Sequence, residues 1–318
     1  MPELPGYDAA HTGATFFQRP EPGLVHISGP DRLDFIQRQT TNDIAGLQPD
    51  RAMLTVLTSP TARILDVWRL LLEPDEQVAV ITRPGRGAAM TDYLNRRIFF
   101  MDKVTVVDAS DEVAQFELVG PEASACLDAL GVAVPEPGGI AHLADPALRV
   151  IGLDGHVGRG FLLLVSAADA AYITGVLGEA GVVPLAAESY EVLRVEWGLP
   201  AASGELTGDY TPLEVNLSAA VSDRKGCYTG QEVIARQITY DKVTRQLVRL
   251  RLAEPVTAGA RIEVEGRSAG TVTSAAVSPR LGAVALAVIK RPHNQPGTTV
   301  QVTGETLVDA QVEALVAG

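Results

Sequence analysis

Hydrophobic positions along this chain repeat with two different periods, and the alternation between them lays out its elements. Residues 53–58 and 63–72 read as two strands joined by a turn at Ser59-Pro60-Thr61. In the second strand Ile64, Asp66, Trp68 and Leu70 share one face, with Arg63, Leu65, Val67 and Arg69 on the other. Asp66 is therefore an acid on an otherwise apolar face. Such a carboxylate must gain hydrogen-bond donors, shift its pKa or meet a ligand. A structural acid accepting bonds from a turn fits the same pattern equally well.

The remaining N-terminal pattern mixes strands and helices without regular alternation. Strands are expected at 24–28, 77–82, 103–108, 114–119, 148–153 and 161–166. Helices are expected at 31–39, 86–97, 122–130, 167–180 and 188–197, the last closed by Gly198 and Pro200. Thr40-Thr41-Asn42-Asp43 breaks the first helix, because such side chains prefer caps and turns to helix interiors. The first 22 residues carry four prolines and read as an extended arm.

After Asp241 the texture changes. Short strands at 247–252, 261–264, 270–274, 283–288, 299–302 and 310–315 are punctuated by Gly259, Gly266, Gly282, Pro296-Gly297 and Gly304. That density of strands and turns predicts a small all-β barrel. The chain is expected to be α+β, with one region over 1–240, containing two interleaved α+β subdomains, and a barrel domain over 241–318.

Residues 225–232, Lys-Gly-Cys-Tyr-Thr-Gly-Gln-Glu, are the most informative stretch. Thr229 and Glu232 have the spacing of a capping box, and the apolar Val233, Ile234 and Ala235 follow. Cys227 then sits just outside a helix N-terminus beside Lys225, and both effects favour its thiolate. The plainer reading is a cysteine filling a small core gap.

The 318 residues carry 46% hydrophobic and 20% charged side chains, as in a globular protein. The net charge of −13 opposes a broad nucleic-acid footprint, so no direct nucleic-acid binding is expected. One local exception runs from Arg224 to Arg251, with seven basic and two acidic residues, a balance of +5. An anionic ligand or a solvated rim of a strand pair explains it equally. Cys126 lies in a helical pattern and reads as core, so the two cysteines form no disulfide framework and a reducing, cytoplasmic setting is expected. The N-terminus lacks the pattern of a signal peptide, and no apolar run reaches the length of a membrane span. There is no Walker loop; the glycines at 155–160 read as a strand connection. The five histidines are scattered, without a zinc-ligand spacing.

The run at 225–232 closely resembles the K-G-C-[FY]-x-G-Q-E signature of the YgfZ family, folate-binding proteins related to the aminomethyltransferase (T-protein) of the glycine cleavage system. The likeness extends over nearly the whole chain. It includes Gln39-Thr40-Thr41-Asn42-Asp43, Arg63-Ile64-Leu65-Asp66, Arg194-Val195-Glu196 with Gly198-Leu199-Pro200, Thr211-Pro212-Leu213-Glu214, and the barrel segments Gly270–Ser274 and Ala283–Ala287.

The resemblance implies a ring of three subdomains around a central cavity that holds tetrahydrofolate or a related folate. It implies a role in assembly or repair of iron–sulfur enzymes, some of them tRNA-modifying, with iron–sulfur proteins or assembly factors as partners. Cys227 is the residue tied to that role, and Asp66 matches the aspartate that contacts the reactive part of the folate in the aminomethyltransferases. Folate contacts are expected from Asp66, Asn42, Met53, Arg194, Glu196, Lys225, Tyr228, Gln231, Glu232 and Arg236. The alternative is tetrahydrofolate-dependent aminomethyl transfer or demethylation. The chain departs from the transferases at Leu162, where they carry a pterin-gripping glutamate, and at Tyr190, where they carry an arginine. An apolar residue at 162 leaves pterin donors unpaired, which is costly.

Overall fold

The computed structural model describes residues 3–153, 160–304 and 306–315. The glycine run 155–160 therefore lies outside the described residues except for Gly160. Two twisted sheets and a barrel make up the molecule. One sheet has five strands in the order Met53–Thr58, Ile64–Leu72, Val78–Ile81, Leu24–Ser28 and Thr105–Asp108. The other has six, in the order Val183–Pro184, Thr15–Gln18, Val113–Val119, Gly160–Ser166, Leu148–Leu153 and Ile140–Leu143. Arg245–Leu252, Gly282–Lys290, Arg267–Ser278, Arg261–Val264, Thr299–Thr303 and Leu307–Glu313 close into a six-stranded barrel. The fold is thus α+β with a small C-terminal barrel, as the strand-and-turn spacing predicts.

Helices cover the outer face of each sheet, and the inner faces meet. Trp68, Leu70 and Val80 pack on Phe35, Ile36 and Met90 of the helices on one side. On the opposite face Leu24, Leu71, Ala79 and Ile81 meet Ile151, Leu162 and Leu164 of the six-stranded sheet. The strand Ile64–Leu72 is therefore buried on both faces, including Asp66 and Arg69. Alternation alone implied one buried face; a sheet sandwiched between a helix layer and a second sheet has none to spare for water. A third cluster joins Val56, Ile64 and Val67 to Val195, Leu217 and the barrel residues Leu247, Leu286 and Val288.

Two expectations are corrected. The proline-rich N-terminus is not an extended arm: Tyr7–Thr12 is a helix, and Thr15–Gln18 joins the six-stranded sheet beside Val113–Val119. Proline restricts its own φ and its predecessor, but residues 7–18 between the prolines are free to form elements. The capping box does not form at Thr229 and Glu232. The N-cap of helix Gln231–Thr239 is Gly230 at φ 86° with no side-chain cap, and Glu232 instead pairs with Arg236 at 2.6 Å. The box forms earlier, at Thr211 and Glu214, on the 3-10 turn Pro212–Val215.

Candidate functional site

A cavity of about 410 Å³ opens where the two sheets, helix Ala187–Trp197 and the loop after it come together. That volume lies within the range of small-molecule sites. Of the arginines that line it, Arg19, Arg83 and Arg194 are each tied to an acid. Arg19 reaches Glu117 through Nη2 at 2.6 Å and Nε at 2.8 Å. Arg83 Nε donates to Asp66 Oδ1 at 2.6 Å. Arg194 donates to Glu191 through Nε at 2.6 Å and to Ser274 Oγ at 2.8 Å.

The Glu117 end is the more elaborate. Tyr190 donates its hydroxyl to Glu117 Oε2 at 2.9 Å and lies stacked on Phe17, ring centroids 4.2 Å apart. Burial, and then the Glu117 charge, hold the Tyr190 phenol well above its usual pKa, so it stays a donor. Desolvation works against the Arg19 cation, but Glu117 outweighs it and the guanidinium pKa is raised. Glu117 and Gln115, both almost fully buried, alternate on the inner face of strand Val113–Val119. Two polar residues with period two on an apolar strand are the same signal that singled out Asp66, and it would have found Glu117.

Asp66 lies behind the cavity wall rather than on it. It is fully buried, and Oδ1 accepts from Arg83 and from the Val67 N–H at 2.9 Å. Oδ2 has no hydrogen-bond partner among the described residues. Burial raises the carboxyl pKa; Arg83, the Val67 amide and the Trp68 indole N–H, which falls short of hydrogen-bond geometry, oppose it. Arg83 also donates to the Leu65 carbonyl at 2.7 Å and to the Leu206 carbonyl, so it bolts the strand Ile64–Leu72 to the loop after helix Ala187–Trp197.

The other expected site residues divide into two groups. Arg194 lines the cavity, whereas Glu196, two residues on, points to the opposite side of its helix. There it accepts the Tyr7 hydroxyl at 2.5 Å and lies 3.4 Å from His11 Nε2. Asn42, Met53, Lys225, Tyr228, Gln231, Glu232 and Arg236 belong to the region of the cysteine motif. Lys225 Nζ donates to three carbonyls at the end of helix Arg32–Gln39: Gln37 at 2.7 Å, Thr40 and Asn42 at 2.6 Å each. Burial pushes this ammonium down to about 8, with the Asp43 charge acting against it. Asn42 Nδ2 donates to the Leu54 carbonyl at 2.8 Å, next to partly buried Met53. Tyr228 packs on Ala62 and Ile234. The Gln231 N–H donates to the Tyr228 carbonyl at 3.2 Å.

Gly230 is required where it stands. Its φ is positive, and a Cβ there would lie 2.6 Å from the Ser59 carbonyl oxygen. The motif is thereby pressed against the 59–62 turn, where Thr58 Oγ1 donates to the Thr229 carbonyl at 2.6 Å. Cys227 itself is exposed and free. The core reading of this cysteine is overturned, while the ammonium of Lys225 spends all three of its protons on the carbonyls of residues 37, 40 and 42. The basic run 224–251 is likewise largely consumed internally: Arg245 pairs with Glu214 at 2.7 Å, and Arg249 and Arg251 with Glu313 at 2.9 and 2.7 Å. Cys126 is buried, as its helical pattern implies. Among the described residues no helix is long and apolar enough to cross a membrane.

Comparison with known proteins agrees with this architecture. Residues 7–225 match the GCVT N-terminal domain, and residues 245–316 match the glycine cleavage T-protein C-terminal barrel domain. A putative chloroplastic transferase of Arabidopsis thaliana is 31% identical over 301 residues, covering 93% of this chain and 69% of the relative. The aminomethyltransferase of Bacillus subtilis is 29% identical over 326 residues, covering 96% and 88%. The crystal structure of the glycine cleavage system aminomethyltransferase T from Bartonella henselae superposes with a TM-score of 0.85 at 22% identity, over 97% of this chain and 87% of that one. The chain belongs to the glycine cleavage T-protein family of aminomethyltransferases and their relatives.

Proposed function

We propose that the central cavity binds a tetrahydrofolate and that the protein transfers a one-carbon unit between that folate and an amine. The observation that carries this reading is the polarity of the cavity, which has a carboxylate–phenol end at Glu117 and Tyr190 and a guanidinium end at Arg83, backed from behind the wall by Asp66. Bound tetrahydrofolate supplies nitrogens that accept or release the one-carbon unit. Glu117 Oε2, which accepts from Tyr190 and from no other group described, has a lone pair for a pteridine N–H. Phe17 and Tyr190 offer an aromatic wall. Behind the wall at the far end, Asp66, with its raised pKa, is the group suited to hold a proton, and Arg83, which does line the cavity, connects it to that end.

Calorimetry with tetrahydrofolate and with folinic acid tests the binding, and a turnover assay with tetrahydrofolate and methylated amines tests the transfer. Saturable binding that is lost in Glu117→Ala is expected. No heat with either folate removes the reading, and turnover unchanged in Asp66→Asn removes Asp66 from the chemistry.

The cysteine motif favours a second reading, YgfZ-type support of iron–sulfur enzymes, including those that modify tRNA, with iron–sulfur proteins or assembly factors as partners. Its motive is that an exposed thiol sits on a segment held by Lys225, Tyr228 and Gly230. The two free thiols support a cytoplasmic setting. Complementation of a deletion strain with wild type or Cys227→Ala, read by iron–sulfur enzyme activities, decides it; equal rescue by both rejects a role for the thiol.

A further inference from the structure

A second pocket, of about 340 Å³, lies between the end of helix Ala187–Trp197 and the barrel. Its polar lining is a directed chain of carboxamides. Gln295 Nε2 donates to Asn294 Oδ1 at 3.3 Å, Asn294 Nδ2 to Gln246 Oε1 at 3.3 Å, Gln246 Nε2 to Asn216 Oδ1 at 2.9 Å, and Asn216 Nδ2 to the Leu247 carbonyl at 3.1 Å. Each amide uses one of its two N–H bonds in this chain. The second N–H of each has no acceptor among the described residues, and Gln295 Oε1 accepts from none of them. Asn294 is 5% exposed, so this spare capacity extends into the interior. A lining of several half-buried amides, each with an N–H to spare, is a lining ready for a polar ligand.

The chemistry of that ligand follows from three features. The carboxylate in the pocket, Glu313, has one oxygen on Arg249 and the other on Arg251, so nothing there selects for charge. A carboxamide presents a donor and an acceptor in one plane, the complement of a lactam or aminopyrimidine edge. Trp197 and the prolines Pro200 and Pro296 supply flat apolar walls. A hydroxyl-rich sugar would instead call for acceptors at several angles, and the carboxylate is already occupied.

We propose that this pocket binds a neutral planar heterocycle with a lactam or aminopyrimidine edge, of the size of a single nucleobase. The site shares Pro200 with the central cavity but none of its polar lining, and the proposal is independent of the folate reading.

The chain has two tryptophans, one for each place: Trp68 lines the central cavity and Trp197 the amide pocket. Protein labelled with 5-fluorotryptophan therefore gives one fluorine resonance per site. Titration with uracil and with adenine is expected to shift the Trp197 resonance saturably while the Trp68 resonance stays in place. Gln295→Ala, at the exposed mouth, is expected to weaken that response about fivefold, the loss of one hydrogen bond, without unfolding the protein. A still Trp197 resonance with both bases, an equal shift with methyl glucoside, or unchanged affinity in Gln295→Ala overturns the proposal. A Trp68 shift on adding tetrahydrofolate reports the other site alone.

Discussion

Glu117 and Leu162 are register partners on adjacent antiparallel strands, so their side chains project from the same face of the six-stranded sheet. The resemblance to the transferases leads one to expect a pterin-gripping glutamate where Leu162 stands. One strand across, the Glu117 carboxylate is held by Arg19 and by Tyr190, the position where the resemblance leads one to expect an arginine. The two departures are thus neighbours in space. Glu117→Leu is expected to cost about 3–5 kcal/mol, because it strands a buried guanidinium. Adding Arg19→Met should recover a large part of that loss. Urea unfolding of the two single variants and the double variant measures it, and simple additivity would contradict the pairing.

Arg83 and Asp66 invite the same test from the other end of the cavity. Arg83→Met leaves a fully buried carboxylate without its cation and is expected to destabilise by about 3–5 kcal/mol. Because burial raises the Asp66 pKa, the unpaired acid should take up a proton on folding. The folded form then binds more protons than the unfolded one, so the stability of Arg83→Met should fall as pH rises from the carboxylate range towards neutrality. In Asp66→Asn/Arg83→Met that slope should vanish.

Lys225 gives a pH dependence of opposite sign. Its folded pKa of about 8 is below the usual 10.5, so between those values the unfolded chain holds a proton that the folded chain has released. The contribution of this group to stability therefore rises with pH through that window. The difference in urea midpoint between wild type and Lys225→Met, followed from pH 7 upward, should show it. At pH 7 Lys225→Met is expected to be destabilising by about 2–4 kcal/mol, since three carbonyls lose their shared donor.

Gly230→Ala should cost about 1–3 kcal/mol, combining a left-handed backbone with a collision against Ser59. The loss should appear as easier opening of the motif, measured as hydrogen exchange of the helix Gln231–Thr239 amides. Unchanged exchange would mean that the motif is not braced by this contact.

The two cysteines should separate cleanly in a thiol-labelling experiment. Cys227 is exposed; Cys126 is buried, and desolvation, then Glu122, raise its pKa. One thiol per chain should react rapidly under native conditions and the second only on unfolding, with Cys227→Ala abolishing the fast phase.

Much of the fold was legible along the chain because it is written in local patterns. The barrel strands follow from short apolar runs between glycines, and Gly198 ends helix Ala187–Trp197 at φ 76° as its position implies. The oddity of Asp66 was visible as an acid among Ile64, Trp68 and Leu70. Its partner was not, because Arg83 lies at the end of a different strand and no spacing rule links the two. Thr229 and Glu232 show the limit from the other direction: they have the spacing of a cap, yet packing against the 59–62 turn holds Gly230 in a left-handed conformation and the cap never closes.

By itself, then, the sequence determined most of the elements and the barrel, since each depends on residues close together in the chain, while the exposure of Cys227 and the N-terminal helix and strand came from the fold. Only the tertiary structure decided which charges meet. Arg19 with Glu117, Arg83 with Asp66, and Lys225 with the carbonyls of residues 37, 40 and 42 are pairings across the fold. A buried charge takes whichever partner the packing of sheets and helices brings within about 3 Å, and that is a property of the whole assembled core.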